Sequence, residues 1–503
     1  MIKKIYILPL FISAVCVALA AAVLIKADIL FHTDIARDFL LFEDVATNNP
    51  LTLIGARSGG IGGVFHGPLW LYLNMPAYLL TNGNPTLIGW FWFLLVLLAG
   101  LAVYWVGRKM FSPHIGLWAT ALYASCAINY APVMFNPFGA VLLSPLFFYF
   151  LCRYLSRTRI FDLLATLFVL GCIIQFQIAF GGPILVITAL MVLYSVFRSK
   201  KYTHFFGFLI LLIPLSSYLL FELRHDFLQT RAVMGYIANS DRGKNFIWSL
   251  FFNRRLNGFL GEGIGVYLIP QLNIIIAALA VYIGWKVYPR LSKKDKLPYR
   301  TFAILYGGYW LLTLLFKGDI LGYYTWQFLP MSLLLIASLT KHIPRLAYLL
   351  IASVIIINIG FSARNVWKLT PGPQNQSSWQ FYKVRAQKIF TDAPSQFGYF
   401  IFTPDQFGYS ERYALHYLQG QYPHKVGEEN VKKQTVYLLV APPPDDRPFF
   451  NHTWWQAERV KITKKPVQTW NDGYNFKTER YQLTNKEQQV QPDSSLINSL
   501  IFR

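Results

Sequence analysis

Apolar runs long enough to cross a lipid bilayer recur along the first 361 residues of this chain. A helix needs roughly 20 mostly apolar residues to span a hydrocarbon core about 30 Å thick. The 503 residues are 54% hydrophobic and only 14% charged, which is too apolar for an ordinary soluble protein. We therefore predict an α-helical polytopic membrane protein with about eleven transmembrane helices. The predicted spans lie near residues 5–25, 86–107, 114–133, 138–152, 160–178, 183–197, 204–221, 265–285, 301–316, 321–340 and 346–361.

Basic residues cluster at alternate ends of these runs, and this pattern predicts the orientation of the chain. Lysine and arginine in short loops are retained on the cytoplasmic side of a membrane. The opposite short loops, near residues 134–137, 179–182 and 317–320, contain a single basic residue, Lys317. We therefore place the N-terminus in the cytoplasm and the segment after residue 361 outside. The basic ends carry Lys3, Lys4, Arg108, Lys109, Arg153, Arg157, Arg159, Arg198, Lys200, Lys201, Lys286, Arg290, Lys293, Lys294, Lys296, Arg300, Lys341 and Arg345.

The formal net charge of +22 would suggest a nucleic-acid partner if the chain were soluble. Here much of the positive charge belongs to the predicted cytoplasmic ends, so we expect no nucleic acid among the partners. The four cysteines all fall in predicted spans, and no pair of them has the spacing of metal ligands.

An outer loop of about sixty residues, 26–85, separates the first two predicted spans and is far longer than a helix connection requires. In its first part, Asp34, Arg37 and Asp38 fall on one face of a predicted helix. The opposite, apolar face carries Ile35, Phe39, Phe42 and Ala46. This pattern is typical of a helix in the membrane interface whose charged face is turned to an aqueous cavity. In a purely structural alternative, Asp34 or Thr33 only caps the helix.

Three further outer segments contain polar residues that are candidates for a site. The glycines at 59–63 are typical of a flexible loop more than of a phosphate cradle. His66 follows them, just before a helix start at Pro68, and is either a phosphate or carboxylate partner at that helix N-terminus or a plain interfacial histidine. Ten of the twelve acidic residues before residue 362 lie on the predicted outer side, the exceptions being Asp162 and Asp295, and clustered acids in a membrane protein indicate a working face. The remaining candidates are Glu222, Arg224, His225 and Asp226, which could equally form a charged turn at the membrane edge, and Lys317, Tyr323 and Tyr324.

Residues 362–503 are predicted to form a small extracytoplasmic α/β domain. Pro371 and Gly372 break the helix before it. Buried strands are expected at 398–402 and 435–440, with a helix at 411–419 between them. Nothing in this segment resembles a catalytic signature. The predicted division is thus a transmembrane catalytic domain, 1–361, and this domain.

The first outer loop carries a motif that resembles a known family. Thr33-Asp34-Ile35-Ala36-Arg37-Asp38 and His66-Gly67-Pro68-Leu69-Trp70 look like the corresponding motifs of the GT-C superfamily. The likeness is greatest to protein mannosyltransferases and lipid A aminoarabinose transferases. It implies a GT-C-like fold over residues 1–361 in a plasma (inner) membrane. It also implies that Asp34 is catalytic and that Arg37 and His66 contact a lipid phosphate.

The chain departs from that family at three positions. It has Ile35 where many relatives have a second acid, Asn136-Pro137 where many have an acid opening the fourth helix, and His66 where the aminoarabinose transferases have a basic residue. These departures leave the substrate open, and also whether a divalent cation takes part; no nucleotide cofactor is expected.

The function expected from these features is a glycosyltransferase. It would move a hexose or pentose from a polyprenyl phosphate to a lipid, glycan or protein acceptor outside the membrane, with inversion. Asp34 would be the general base, and Asp38 would orient Arg37 or bind the acceptor. The donor phosphate would meet Arg37, His66, Lys317, Tyr323 and Tyr324; the acceptor would meet Glu222, Arg224, His225 and Asp226. The alternative is a polytopic transporter or a lipid-linked glycan flippase, for which inverted repeats and broken helices would be expected. The sequence indicates neither feature.

Overall fold

The structure is a computed structural model and describes residues 6–238, 247–316, 318–369, 376–405, 407–444 and 447–496. The chain divides into two compact units. The first unit comprises Met1–Val23, Leu51–Asn74 and Trp90–Lys368, and the second unit comprises Leu24–Pro50, Met75–Gly89 and Leu369–Arg503. Parts of the predicted outer loop 26–85 therefore belong to the same unit as the C-terminal domain.

Helices make up most of the described chain up to Lys368. They are α1 (Ile7–Ala27), α2 (Thr33–Thr47), α3 (Leu69–Leu80), α4 (Pro85–Met110), α5 (Pro113–Cys126), α6 (Pro137–Arg157), α7 (Ile160–Phe176), α8 (Ile178–Ser199), a 3-10 helix (Tyr202–Leu212), α9 (Ser216–Arg224), α10 (Leu228–Ala238), α11 (Trp248–Asn257), α12 (Ile274–Tyr282), α13 (Lys293–Thr313), α14 (Phe328–Ser338) and α15 (Pro344–Lys368).

Six helices in the described part of the chain are long and apolar enough to cross a membrane, or seven if one bent pair is a single span. They coincide with predicted spans, and the bent pair coincides with the run 204–221. The other four predicted spans coincide with α5, α7, α13 and α14, which are shorter or more polar. The chain is a polytopic helical membrane protein, and the count of about eleven spans stays a prediction.

The run 204–221 is broken, contrary to the single straight span that the sequence predicts. Tyr202–Leu212 and Ser216–Arg224 meet at an angle of 68°. Pro214 lies in the break, where its ring cannot continue a helix and its missing N–H removes a hydrogen bond. The Gln175 side chain donates a 2.7 Å hydrogen bond to the Pro214 carbonyl and so satisfies it at the break. The expectation that the chain has no broken helix is therefore wrong.

Within the first unit, α6, α7 and α8 enclose an apolar cluster that includes Tyr154, Leu163 and Val192. Asp162 and Asp295, the two acids predicted on the cytoplasmic side, are both paired with basic residues. Asp162 is buried 3.1 Å from Arg153, and Asp295 lies 2.8 Å from Lys341. The first pair neutralises a buried charge that would otherwise be costly, whereas the second pair lies near the surface.

The C-terminal segment forms a five-stranded sheet flanked by helices, which confirms the predicted α/β domain. The strand order is β2-β1-β3-β5-β4, with β1 parallel to β2 and to β3, and with β5 antiparallel to β3 and β4. The elements are α16 (Trp379–Asp392), β1 (Gln396–Phe402), α17 (Tyr409–Gln421), β2 (Val426–Glu429), β3 (Thr435–Val440), α18 (His452–Trp454), β4 (Gln468–Gly473), β5 (Phe476–Gln482) and α19 (Asn485–Gln489).

Alternating side chains of the central strands serve two cores. Phe400 and Phe402 of β1 join Leu438 of β3 in an apolar cluster with the segment around Trp455. Phe397, on the other face of β1, packs against Phe390 of α16 with ring centroids 5.4 Å apart. Successive side chains of a strand point to opposite faces, and both faces are covered here. Both predicted strands are therefore apolar throughout.

Candidate functional site

Helix α2 of the second unit carries the three charged residues that the sequence places in the site. His32 is its N-cap, and His32 Nδ1 accepts a hydrogen bond from the backbone N–H of Asp34 across 3.2 Å. The alternative in which Asp34 or Thr33 caps the helix is therefore wrong. The Asp34 carboxylate has no capping duty and is available for chemistry.

Arg37 holds both neighbouring carboxylates of α2. Its Nη1 donates to Asp34 Oδ1 at 2.8 Å, and its Nη2 donates to Asp38 Oδ1 at 2.9 Å. The side chain of Asp34 is 38% exposed, against 13% for Arg37 and 2% for Asp38. Asp38 is thus a buried anchor for the guanidinium, and Asp34 is the carboxylate that an incoming molecule can reach.

The surroundings of α2 fix the charge states of its basic neighbours. Burial lowers the pKa of Arg37, but the ion pairs with Asp38 and Asp34 outweigh this effect and raise that pKa above its ordinary value. Burial also lowers the pKa of His32, which favours the neutral ring that its capping bond requires. The positive charge between the two aspartates is therefore permanent, whereas the cap depends on a neutral histidine.

The apolar side of α2 packs against protein. Ile35, Phe39 and Phe42 are fully buried, and the Phe39 ring lies 5.1 Å from the ring of Tyr413 in α17. Ala46, predicted to continue this stripe, is exposed because the helix is ending there. The prediction that this face meets the membrane interface is thus wrong for Phe39, since an aromatic side chain of the C-terminal domain covers it.

Sequence reasoning missed a contribution from the loop between β1 and α17. The hydroxyl of Thr33, the first residue of α2, donates a 2.8 Å hydrogen bond to Asp405 Oδ2. At the start of α17, the Ser410 hydroxyl donates a 2.8 Å hydrogen bond to the Phe31 carbonyl, just before α2. One signal was available: Asp405 follows a parallel strand, and the carboxyl ends of such strands are the usual place for ligand-binding loops.

The glycine-rich segment of the first unit forms a narrow hairpin. Gly55 N–H bonds the His66 carbonyl at 2.8 Å, and His66 N–H bonds the Ala56 carbonyl at 2.8 Å. The glycines 59–63 form its tip, where a side chain on Gly60 would lie 3.5 Å from the Tyr324 hydroxyl. The structure therefore brings the predicted glycine loop together with Tyr324. His66 itself is 8% exposed, so only a small part of it can be reached from solvent.

The turn around Glu222 packs against this hairpin. Glu222 accepts hydrogen bonds from the backbone N–H groups of Gln229 and Thr230, at 2.9 and 3.0 Å, and so anchors the start of α10. The Gln229 side chain accepts a 2.8 Å bond from Phe65 N–H. Glu222 thus has a structural role that accounts for its charge. The neighbours Arg224, His225 and Asp226 form the charged turn at its surface, and all three are exposed.

Lys317 lies outside the described residues, but the residues on both sides of it accept hydrogen bonds from an arginine. Buried Arg255 donates hydrogen bonds to the carbonyl oxygens of Phe316 and Gly318, at 3.0 and 2.6 Å. Arg254 pairs with Asp319. Both arginines line a cavity of about 260 Å³ in the first unit. Tyr323, close by in sequence, is half-buried against Phe135 at 5.2 Å.

No family model and no curated protein matches the chain. Among solved structures, it is similar to ArnT from Cupriavidus metallidurans bound to undecaprenyl phosphate, with a TM-score of 0.60, 12% identity, and coverage of 94% of this chain and 97% of that one. The apo state of ArnT gives a TM-score of 0.58 at 11% identity and the same coverage. The oligosaccharyltransferase of Archaeoglobus fulgidus in complex with Zn and sulfate gives 0.43 at 13% identity, over 83% of this chain and 62% of that one.

ArnT, a lipid A aminoarabinose transferase, is a GT-C glycosyltransferase. The chain has the GT-C fold. The resemblance stated from the first-loop motifs is therefore confirmed at the level of the fold. At 12% identity this likeness does not extend to the sugar, the acceptor or the site residues.

One position where this chain departs from the GT-C motifs that it resembles has a structural explanation. Asn136, found where an acid is common, donates a 2.9 Å hydrogen bond from its side-chain amide to the Phe176 carbonyl at the end of α7. An ionised carboxylate has no proton to donate there. In the described ranges of this GT-C fold, no three His, Cys, Asp or Glu side chains are grouped so that they could hold a metal ion.

Proposed function

We propose that this protein is a glycosyltransferase that moves a monosaccharide from a polyprenyl-phosphate donor to an acceptor on the outer face of the membrane, with inversion. The observation that carries the proposal is the Asp34 carboxylate, which is partly exposed at the start of α2 and is fixed from one side by Arg37. The GT-C fold shared with ArnT supports it, since that structure is bound to undecaprenyl phosphate.

The geometry of Asp34 suits a general base. Its Oδ1 accepts the bond from Arg37. Among the described residues no other side chain bonds this carboxylate, which leaves Oδ2 to take the proton of an acceptor hydroxyl. The base has to be ionised before attack, because only a carboxylate can accept the proton. Asp38 orients Arg37 from its buried side.

The leaving group would be a polyprenyl phosphate, on which negative charge develops as the sugar departs. Cations and hydroxyl donors stabilise such charge. We assign this task to Lys317 and Arg37, with His66, Tyr323 and Tyr324 as further donors. Arg37 already uses three of its N–H groups on Asp34 and Asp38. Since a guanidinium has five N–H groups, two remain for a phosphate.

An outward-facing site argues for a lipid-linked donor. Nucleotide sugars are made in the cytoplasm, so an enzyme working outside needs its activated sugar delivered on a membrane lipid. The acceptor would be a lipid, glycan or protein that is exposed there. The charged turn at Arg224, His225 and Asp226 is a candidate surface for it.

Mass analysis of lipid-linked sugars in cells with and without the gene tests this function. Loss of a transferase should make a polyprenyl-phosphate sugar accumulate on the outer leaflet, where periodate can oxidise it in intact cells, while one sugar disappears from outer glycans. A flippase would instead cause accumulation on the inner leaflet, protected from periodate. Protected accumulation, or unchanged lipid-linked sugars together with unchanged glycans, would refute the proposed function.

A further inference from the structure

The C-terminal sheet has a topological switch point between β1 and β3. These neighbouring strands are parallel, and the chain leaves β1 through α17 toward β2 on one side, whereas it leaves β3 toward β4 and β5 on the other side. Connections that diverge in this way open a crevice at the carboxyl ends of the two strands, and ligands of open α/β sheets bind in such crevices. The loop after β1 is therefore the part of this domain best placed to bind a ligand.

Asp405 in that loop is an exposed carboxylate held in a defined position. Its Oδ1 accepts hydrogen bonds from the Thr403 hydroxyl at 2.6 Å and from the Phe407 N–H at 3.0 Å. Its Oδ2 accepts the bond from Thr33, next to Asp34. Because the Phe407 N–H before α17 already donates to this carboxylate, and because the carboxylate repels other anions, the loop does not suit an anionic ligand. Because Asp405 is exposed, its oxygens can also accept hydrogen bonds from the hydroxyl groups of a ligand.

Phe407 supplies an apolar ring face beside this carboxylate. Its ring stacks on Tyr409, with centroids 5.1 Å apart and planes inclined by 11°. This stacking leaves much of the ring uncovered, since Phe407 remains 49% exposed. A flat aromatic face next to a fixed carboxylate matches a sugar ring, which presents C–H groups on one face and hydroxyl donors around its edge.

We propose that Asp405 and Phe407 form a saccharide-binding subsite that receives the acceptor beside Asp34. The identification of the saccharide as the acceptor rests on the proposed function. A saccharide fits better than a lipid surface, because a membrane in contact with Phe407 would have to accommodate the adjacent charge of Asp405. The subsite gives the C-terminal domain a direct part in choosing the substrate.

Saturation-transfer NMR on the full-length protein in lipid nanodiscs tests the subsite. The probes are the methyl glycosides of glucose, mannose, galactose, N-acetylglucosamine and arabinose, without donor. We expect at least one to bind, and we expect Phe407→Ala and Asp405→Ala each to weaken its binding about threefold or more. Tyr474→Ala is the matched control, because that ring is also 49% exposed and packs against Phe381 in the same domain; it should bind as the wild type does.

The outcomes separate this inference from the proposed function. Asp34→Asn should bind the glycoside normally. If the wild type and all variants bind a glycoside but none of them transfers a sugar, the proposed function is refuted and the subsite is kept. The subsite is refuted if no glycoside binds the wild type, or if Phe407→Ala and Asp405→Ala bind the glycoside as well as the wild type does. A nitroxide spin label attached at Phe407→Cys would collide preferentially with oxygen if this position contacted lipid. That result would also refute the subsite.

Discussion

Arg37 donates a 2.8 Å hydrogen bond from Nη1 to Oδ1 of Asp34, one helical turn before it in α2. The bond fixes the carboxylate without burying it. The helix does not need Asp34 for capping, since His32 does this work. A substitution at Asp34 therefore reports on chemistry and leaves the helix intact.

Asp34→Asn should lower sugar transfer by about 10²- to 10⁴-fold, because an amide cannot accept the proton of the attacking hydroxyl. Asp38→Asn should leave partial activity, since an amide oxygen can still accept the bond from Arg37. Turnover of a polyprenyl-phosphate sugar by both purified variants, at equal protein concentration and equal melting temperature, gives the comparison. Near-normal turnover by Asp34→Asn would remove the main reason for placing the active site on α2.

Lys317→Ala should reduce kcat/KM for the lipid donor about tenfold or more. A charge-assisted contact to phosphate contributes roughly 1.5–3 kcal/mol. Arg37→Ala should lose at least as much, and should also destabilise the protein, because it leaves Asp38 buried without its ion-pair partner. Arg231→Ala removes an exposed charge from α10 and serves as the control. Unchanged donor kinetics in Lys317→Ala would show that this lysine does not contact the phosphate.

Local sequence patterns predicted the segments of this fold better than they predicted its contacts. The spacing of Ile35, Phe39 and Phe42 identified α2 and its buried side, because helical periodicity is a property of neighbouring residues. The partner of that side was not predictable, since Tyr413 lies far along the chain. The bond from Thr33 to Asp405 spans 372 residues and was missed for the same reason. His32 is an uncommon N-cap, and so its capping was missed as well.

A reporter fused after Lys368, where α15 ends, should be exposed outside the membrane, and one fused near Lys294 should be inside. The reason is the alternation of basic ends along the chain. Alkaline phosphatase and green fluorescent protein fusions at both positions measure this directly, because the first is active outside and the second fluoresces inside. A cytoplasmic result after Lys368 would mean an even number of spans and would reverse the side of every proposed site.

Gly67→Ala should destabilise the protein by about 1–3 kcal/mol. An added Cβ would lie 1.8 Å from Gln175 Oε1 and 3.0 Å from the Gln175 Cα. Gln175 cannot move freely, because its amide bonds the Pro214 carbonyl at the helix break and Ser217 at 2.9 Å. Gly59→Ala is the matched control, since no atom lies within 4 Å of its added Cβ. Equal melting temperatures for the two variants in detergent would contradict the packing at Gly67.

His32 should make the stability of this protein depend on pH, with loss on the acid side. Burial lowers the pKa of His32 below its ordinary value of 6.5, so the unfolded chain binds more protons than the folded one in that range. The contribution of the cap is therefore complete above pH 6.5 and decreases as the pH falls from 6.5 through the folded pKa. A protonated ring cannot accept the bond from Asp34 N–H at Nδ1.

His32→Asn keeps a capping acceptor that does not titrate, and asparagine caps helices well. Melting temperatures measured from about pH 8 to about pH 5 should fall less in His32→Asn than in the wild type. Parallel curves for the two proteins would show that the histidine cap does not govern the acid limit.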